Sequence, residues 1–300
     1  MKPGLYLVHK PVGPTSFSIV REFQQEAEVS GGRRLAICHG GTLDPFAEGL
    51  LLVLVGQATR LFDHLHAIPK VYEAELAWGR ETDNGDPGGR VIAEGDPSTL
   101  TPGAIEQQAS TFLGWSDQVP PATSAKKIEG EPAYRKVHRG ETVELPPSRV
   151  YLHALRWIDH TLPTRSRVEL TCRGGYYVRA FARDLGRRLG CPAHLSALRR
   201  TAIGPWSDPG PGRRVHVGGA ELLPWLPSRG LTDQDLGALR KGESIPRGRV
   251  EPPAWPLPAA FLPGEPDQER VRAFHRDRLS ALLRPAEGGF ALELELRGGL

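Results

Sequence analysis

The sequence predicts an α+β protein, and three observations point there. The run from Leu50 to Val55 is unbroken apolar sequence bounded by Gly49 and Gly56, which suits a strand buried on both faces. Further β-rich stretches begin at Gly4, Lys70, Tyr151 and Arg167. Between them, apolar residues recur at helical spacing, as Leu61, Leu65 and Ile68 do. The chain has 300 residues, enough for one large or two ordinary domains. Hydrophobic residues make up 39% and charged residues 24%, the composition of a globular protein. Gly (35) and Pro (28) are well above average usage, so turns and loops are many.

Taken in order, the first strand starts at Gly4 and ends at Pro11. Gly13 to Ser16 punctuates the chain before a helix that begins near Ser16 and carries Phe17, Val20 and Phe23 at helical spacing. The segment from His39 to Arg60 follows, centred on Asp44. Gly40 and Gly41 precede the acid and Pro45 follows it, a tight turn in which no bulky side chain crowds the carboxylate. By spacing alone such an Asp caps a turn or a helix. Anchored by the buried strand behind it, the same residue is a rigidly presented acid.

Gln57 to Ile68 suits a helix, and Lys70 to Gly79 a strand in which Tyr72 is by default a packing residue. Asp83-Asn84-Gly85-Asp86 reads as a hairpin turn ahead of a strand from Arg90 to Ala93; it lacks the carboxylate spacing of a calcium loop. Thr101-Pro102 opens a capped helix with Ile105, Phe112 and Leu113. After the β-rich runs at Tyr151 and Arg167, a strand ends and a helix begins, with Phe181, Leu185 and Leu189 repeating every four residues. Past Pro205 the composition shifts to Pro and Gly. A short helix from Thr232 to Lys241 and two or three short strands between Arg270 and Leu296 suggest a small β-rich module.

Charge and cysteine usage narrow the classes. The formal charge is +3, so overall electrostatics neither demand nor exclude nucleic acid. Cations come in pairs, at Arg33-Arg34, Lys126-Lys127, Arg135-Lys136, Arg187-Arg188, Arg199-Arg200 and Arg213-Arg214, each by itself a solvated face. Three cysteines, at 38, 172 and 191, do not make a disulfide framework and fit a reducing cytoplasm. Cys191-Pro-Ala-His194 is half of a zinc spacing that nothing completes, so no metal is expected. There is no signal peptide or membrane-length apolar run, no Walker loop, no dinucleotide fingerprint and no nucleophile elbow. No cofactor, a cytoplasmic location and a monomer are the resulting expectations.

The order His39, Gly41, Thr42, Leu43, Asp44, Pro45, Ala47, Gly49, Leu50, then Gly56 and Ala58-Thr59, resembles the signature segment of the TruB family of tRNA pseudouridine synthases. Four more segments resemble that family in its order. They are Lys10-Pro11-Val12-Gly13-Pro14-Thr15-Ser16, the Lys70-x-Tyr72 strand, the stretch from Pro120 to Gly130, and Gly175, Tyr177, Arg179, Asp184, Leu185 and Gly186. A fifth, from His194 to Gly204, resembles the family's following segment. The resemblance covers residues 4 to about 206. One departure is Val137-His138, where members often carry Ala-Arg; Arg139 or Arg135 then stands in for that RNA contact.

The resemblance implies a pseudouridine synthase fold: a mixed, mostly antiparallel sheet flanked by helices, over residues 1–222, and a small β-rich PUA-like C-terminal RNA-binding module over 223–300. It implies isomerisation of uridine 55 in the T loop of tRNA, by base flipping, with Asp44 as the catalytic residue, either nucleophile or base. Tyr72 and Leu198 would sandwich the flipped base, with Tyr177 nearby and His39 filling the space it leaves. Arg179 would fix the rotamer of Asp44 as a bidentate partner and keep it ionised. The paired cations would contact phosphates of the tRNA T-arm. Two rivals remain: a tRNA-binding or folding chaperone without turnover, and a glycosidase-like hydrolase using Asp44 and Glu48, which the four-residue spacing does not support.

Overall fold

The computed structural model describes residues 1–29, 35–66, 68–124, 126–128, 130–141, 143, 145–261 and 270–300, with backbone alone at 127, 128, 132, 134, 137, 138 and 260. The chain runs β1 (Gly4–Lys10), α1 (Ser16–Val29), β2 (Ile37–His39), β3 (Glu48–Val55) and β4 (Lys70–Trp78). A hairpin of β5 (Arg80–Thr82) and β6 (Val91–Glu94) precedes α2 (Pro102–Ser110) and β7 (Gly114–Gln118). The short pair β8 (Lys127–Ile128) and β9 (Glu131–Pro132) leads into α3 (Ala133–His138). Then come β10 (Ser148–Thr161), β11 (Arg165–Cys172), α4 (Val178–Arg188), β12 (Ala193–Ile203), β13 (Trp206–Ser207) and β14 (Arg214–Val217). The last part holds β15 (Ser228–Gly230), α5 (Asp233–Arg240), β16 (Val271–His275), β17 (Arg278–Ala286) and β18 (Gly289–Glu295).

Ten strands form one sheet in the order β14-β1-β3-β12-β4-β11-β10-β7, with β13 on β12 and β2 on β3. Among these pairs β3 with β12 is parallel and the rest are antiparallel, the mixed arrangement expected. The apolar run of β3 is unbroken because both its faces are covered. Leu51, Val53 and Val55 pack with Ile19 and Phe23 of α1. Leu50, Leu52 and Leu54 pack with Leu61, Leu65 and Ile68. Each fully buried side chain of this kind contributes about 1.5–3 kcal/mol of transfer free energy.

Two local expectations change. Phe17 turns outward, 52% exposed, and Ile19 takes the inward position. The segment Gly56–Leu65 is a 3-10 helix instead of an α-helix. Its three-residue period stacks Ala58 with Leu61, while Leu61, Leu65 and Ile68 remain the buried residues.

One edge of β3 is paired with β1 from Gly49 to Val55. The other edge is divided: β12 takes Glu48 and Gly49 at its start, and β2 takes Val53, Leu54 and Val55 at its end. In the gap, Gly40 N donates to Leu52 O at 2.8 Å and Arg200 Nε donates to Leu50 O at 2.8 Å. The loop from Gly40 to Phe46 leaves the sheet through this fork.

The second sheet has the order β15-β16-β17-β18, so the change of sheet falls between β14 and β15. One of its faces packs with α5. α5 starts at a capping box in which Thr232 Oγ1 accepts from Asp235 N and the Asp235 carboxylate accepts from Thr232 N. The other face shares a core with the large sheet through Leu279, Leu282 and Leu296. Arg272, 4% exposed, fastens the connection by donating to the carbonyls of Ala220, Leu222 and Leu226.

Gly49 sits at φ +105, and a Cβ there would overlap the carbonyl of Arg200 across the parallel pair. Gly49→Ala is expected to lower stability by at least about 2 kcal/mol, since positive-φ strain adds to a backbone clash. Urea unfolding checks this, and an unchanged midpoint with an unchanged slope would overturn the register of β3 against β12.

Candidate active site

The loop that carries Asp44 is fixed from several sides. Lys10, fully buried, donates Nζ to the carbonyls of Pro11 and Pro14 at 2.8 Å and of Pro45 at 3.4 Å. Ser16 Oγ donates to Leu43 O at 3.0 Å and accepts from Leu43 N at 2.9 Å. Arg200, 1% exposed, adds bonds to the carbonyls of Thr42 (3.2 Å) and Gly41 (3.3 Å) to the one it makes with Leu50. Burial lowers the Lys10 ammonium to about 8, against the opposing pull of Asp44. The cations here are held by backbone carbonyls, so the loop conformation and the cation positions determine each other.

Asp44 meets Arg179 in a two-pronged ion pair, Nε to Oδ2 at 2.9 Å and Nη2 to Oδ1 at 3.1 Å. The remaining guanidinium nitrogen, Nη1, donates to Asn84 O and to Thr123 Oγ1, both at 2.8 Å. Arg179 lies in the first turn of α4 with its side chain 5% exposed, while the Asp44 side chain stays 29% open to the cleft. Just ahead of it the backbone of Tyr177 is gripped by the Gln118 amide, N to Oε1 at 2.9 Å and O to Nε2 at 3.1 Å. Burial pushes the Asp44 carboxyl above the ordinary aspartate range, Arg179 pulls it back, and Asp86 adds a smaller upward push. Arg179 therefore acts in the expected direction, and burial outweighs it.

Around this pair lies a cleft of about 500 Å³. Its walls include Tyr72 from β4, Leu198 from β12 and Tyr177, with His39 beside the glycines. Arg173 and Lys126 also line it. The Arg200 guanidinium lies 6.0 Å from the Tyr72 ring centroid, within cation–π range. Burial lowers the His39 imidazole and Arg200 lowers it further, so the ring is neutral at pH 7; its Nδ1 has no hydrogen-bond partner among the described residues. Lys70, also in the lining, is lowered by burial to about 7 and donates to the carbonyls of Leu65, His66 and Ile68. The arrangement offers one ionisable acid in fixed orientation, a cleft lined by an aromatic and an aliphatic side chain, and cations that attract an anionic ligand.

Residues 32–178 match the model of the TruB family pseudouridylate synthase N-terminal domain, and residues 179–211 that of the tRNA pseudouridylate synthase B C-terminal domain. The chain is 39% identical to tRNA pseudouridine synthase B of Thermobifida fusca over 216 residues, 69% of this chain and 71% of that protein. It is 37% identical to the protein of that name from Bordetella avium over 206 residues, 68% of this chain and 82% of that one. The chain belongs to the TruB family. Among solved structures, one of a Cbf5-Nop10-Gar1 complex aligns with a TM-score of 0.65 at 20% identity, covering 98% of this chain and 84% of that one, and supports the same fold.

All six residues that the TruB resemblance singled out, His39, Asp44, Tyr72, Tyr177, Arg179 and Leu198, line the one cleft. Glu48 does not line it; its carboxylate lies 3.9 Å from His9 Nε2, so the hydrolase arrangement with Asp44 is absent. The paired cations behave unlike simple phosphate contacts. Arg200 is buried, and Arg199, Arg187 and Arg214 are engaged by Asp208, Glu81, and Glu22 with Glu26. Arg139 is tied to Glu131 and Glu141, and Arg135 is exposed. Arg33-Arg34 and the side chains of Val137-His138 lie outside the described residues.

Sequence pattern missed Arg200, Lys70, Gln118 and the Asn84 carbonyl. Arg200 had a readable signal: two residues beyond Leu198 on a strand, it shares that side. Asn84 sits in the hairpin turn, where Gly85 lets the chain press against Arg179.

The Asp44 carboxyl is expected to titrate above the exposed-aspartate value of about 3.9, and higher still in Arg179→Met, because the opposing cation is gone. Carbon-13 NMR of the carboxyl reads both, and a value at or below about 3.9 in the unaltered protein would refute the burial effect.

Proposed function

We propose that this chain isomerises uridine to pseudouridine in tRNA, at position 55 of the T loop, with Asp44 as the catalytic residue. The observation that supports it most is the Asp44–Arg179 pair at the edge of a cleft walled by Tyr72 and Leu198. The reaction breaks the N1–C1′ bond, turns the uracil and forms C5–C1′; the C5 proton goes to solvent and N1 gains a proton. No electrons are gained or lost overall. Asp44 acts as nucleophile or base in this exchange, and its ionised form serves either route. Arg179 aims the carboxylate and neutral His39 occupies the space vacated by the base.

The uracil would lie between Tyr72 and Leu198. Extracting a base costs a few kcal/mol, and stacking on one aromatic ring returns about 1–3 kcal/mol. The two are comparable, so phosphate contacts tip the balance. Cations at the cleft, Arg173 and Lys126, supply some of these, and residues 223–300 act as a PUA-like module that extends the tRNA contact. The protein works as a cytoplasmic monomer.

An unmodified tRNA transcript tritiated at C5 of uracil should release label to solvent with the unaltered protein and none with Asp44→Ala, and the modified position should map to the T loop. Binding without release from either would favour the chaperone reading. Tyr72→Ala should lower kcat/KM roughly 5- to 150-fold through lost stacking; a change within twofold would remove Tyr72 from the base pocket. Affinity for tRNA should fall with salt, by up to about one logarithmic unit per phosphate contact for each tenfold rise. Affinity indifferent to salt would remove the RNA-binding reading.

A further inference from the structure

Outside the cleft, β7 is an edge strand of the large sheet, and it exposes a tryptophan. Trp115 is 46% exposed on the face opposite to Val150 and Leu152, which are buried. Its register partner Tyr151 supports it, ring centroids 5.1 Å apart and planes inclined by 46°. Tyr151 is in turn braced by Phe261 at 5.7 Å, edge to face, so the shelf under Trp115 is rigid. Two guanidiniums lie over the Trp115 ring, Arg173 at 5.6 Å and Arg149 at 6.0 Å from its centroid. Arg173 is also part of the cleft lining, which makes shelf and cleft one continuous surface.

We propose that Trp115, with Arg149 and Arg173, is a stacking subsite for a single-stranded nucleotide of the RNA whose neighbouring base enters the cleft. This rests on the isomerase reading for the identity of the RNA. A half-exposed aromatic ring flanked by arginines is a combination that holds unpaired nucleotides: the base stacks against the ring as the guanidiniums turn to the phosphate on either side. The carboxylate nearby, Asp117, is 3.9 Å from Arg149, both side chains being more than 60% exposed. Such a pair is weak in water and gives way to a phosphate.

The test is equilibrium binding of an unmodified tRNA transcript in the Asp44→Ala background, so that no turnover occurs, compared across Trp115→Ala, Trp115→Phe and Arg149→Ala. Trp115→Ala should weaken binding roughly 5- to 150-fold. Trp115→Phe should restore most of it because a ring remains, and Arg149→Ala should reduce the salt slope by about one. Binding by Trp115→Ala within twofold of the parent would overturn the subsite, as would Trp115→Phe weakening binding as much as Trp115→Ala does. Tritium release by the protein with Asp44 intact is measured alongside. Release with no effect of Trp115→Ala leaves the isomerase reading standing and removes the shelf. A loss of binding in Trp115→Ala with no release keeps the shelf and removes the isomerase.

Discussion

The edge of β3 away from β1 has a gap that no strand fills, and the Arg200 guanidinium, with Gly40 N beside it, closes it. β12 stops pairing at Gly49 and β2 begins at Val53, so without a donor the Leu50 carbonyl would be buried and unpaired. Arg200 comes from β12 itself, crosses into the gap and bonds in turn to Leu50, Thr42 and Gly41. One side chain thus continues the β-ladder and fixes the start of the loop that presents Asp44. The planar fork lets Nε, Nη1 and Nη2 each aim at a different carbonyl in a fixed geometry, which the single ammonium of a lysine does not reproduce. The gap is also what gives the loop room to leave the sheet, so the position of the acid follows from where two strands fail to meet.

The site is built over buried cations whose main partners are backbone carbonyls. Lys10, Lys70 and Arg200 each lie at 7% exposure or less. The two lysines answer the cost of burial by a lowered pKa, to about 8 and about 7. Arginine has no such escape, and Arg200 takes a cage of carbonyls and the face of Tyr72 instead. A polyanion arriving at the cleft meets the field of these charges through a low-dielectric floor, where it is screened less than at the surface. The modest net charge of +3 conceals this, because what matters is where the cations sit.

Much of this was legible in the sequence, and what was not has a physical reason. The Leu50 to Val55 run fixed β3 because a strand covered on both faces has no polar position to break the pattern. Six residues of the cleft were named through segments spread from His39 to Leu198, since a resemblance in motif order carries tertiary proximity that periodicity does not. Arg199-Arg200 was misleading because two adjacent strand residues point to opposite faces: one is engaged by Asp208 and the other is buried under the site. The turn at Asp83 to Asp86 was recognised as a turn, yet its carbonyl contact to Arg179 depends on where a hairpin folds back, which local sequence does not encode. Phe17 faced the wrong way because helical spacing alone fits Phe17 or Ile19 about equally, and the packing of α1 on β3 chooses between them.

The balance on Asp44 has a further consequence for how an acid can be both buried and charged. Its carboxylate is still open to the cleft through 29% of the side chain. A flat ligand seated against Tyr72 expels water from that opening, which raises the cost of the charge. The same loss of water lowers the local dielectric between Asp44 and Arg179, and the two-pronged pair grows stronger as the solvent leaves. The two effects scale with the same event and oppose one another, so the ion pair offsets part of the cost of losing the hydration shell. A single-pronged lysine partner, with a mobile ammonium, would hold the charge but not the direction. Asn84 and Thr123 matter for the same reason: by occupying Nη1 they leave Arg179 no alternative orientation, and the carboxylate it holds has none either.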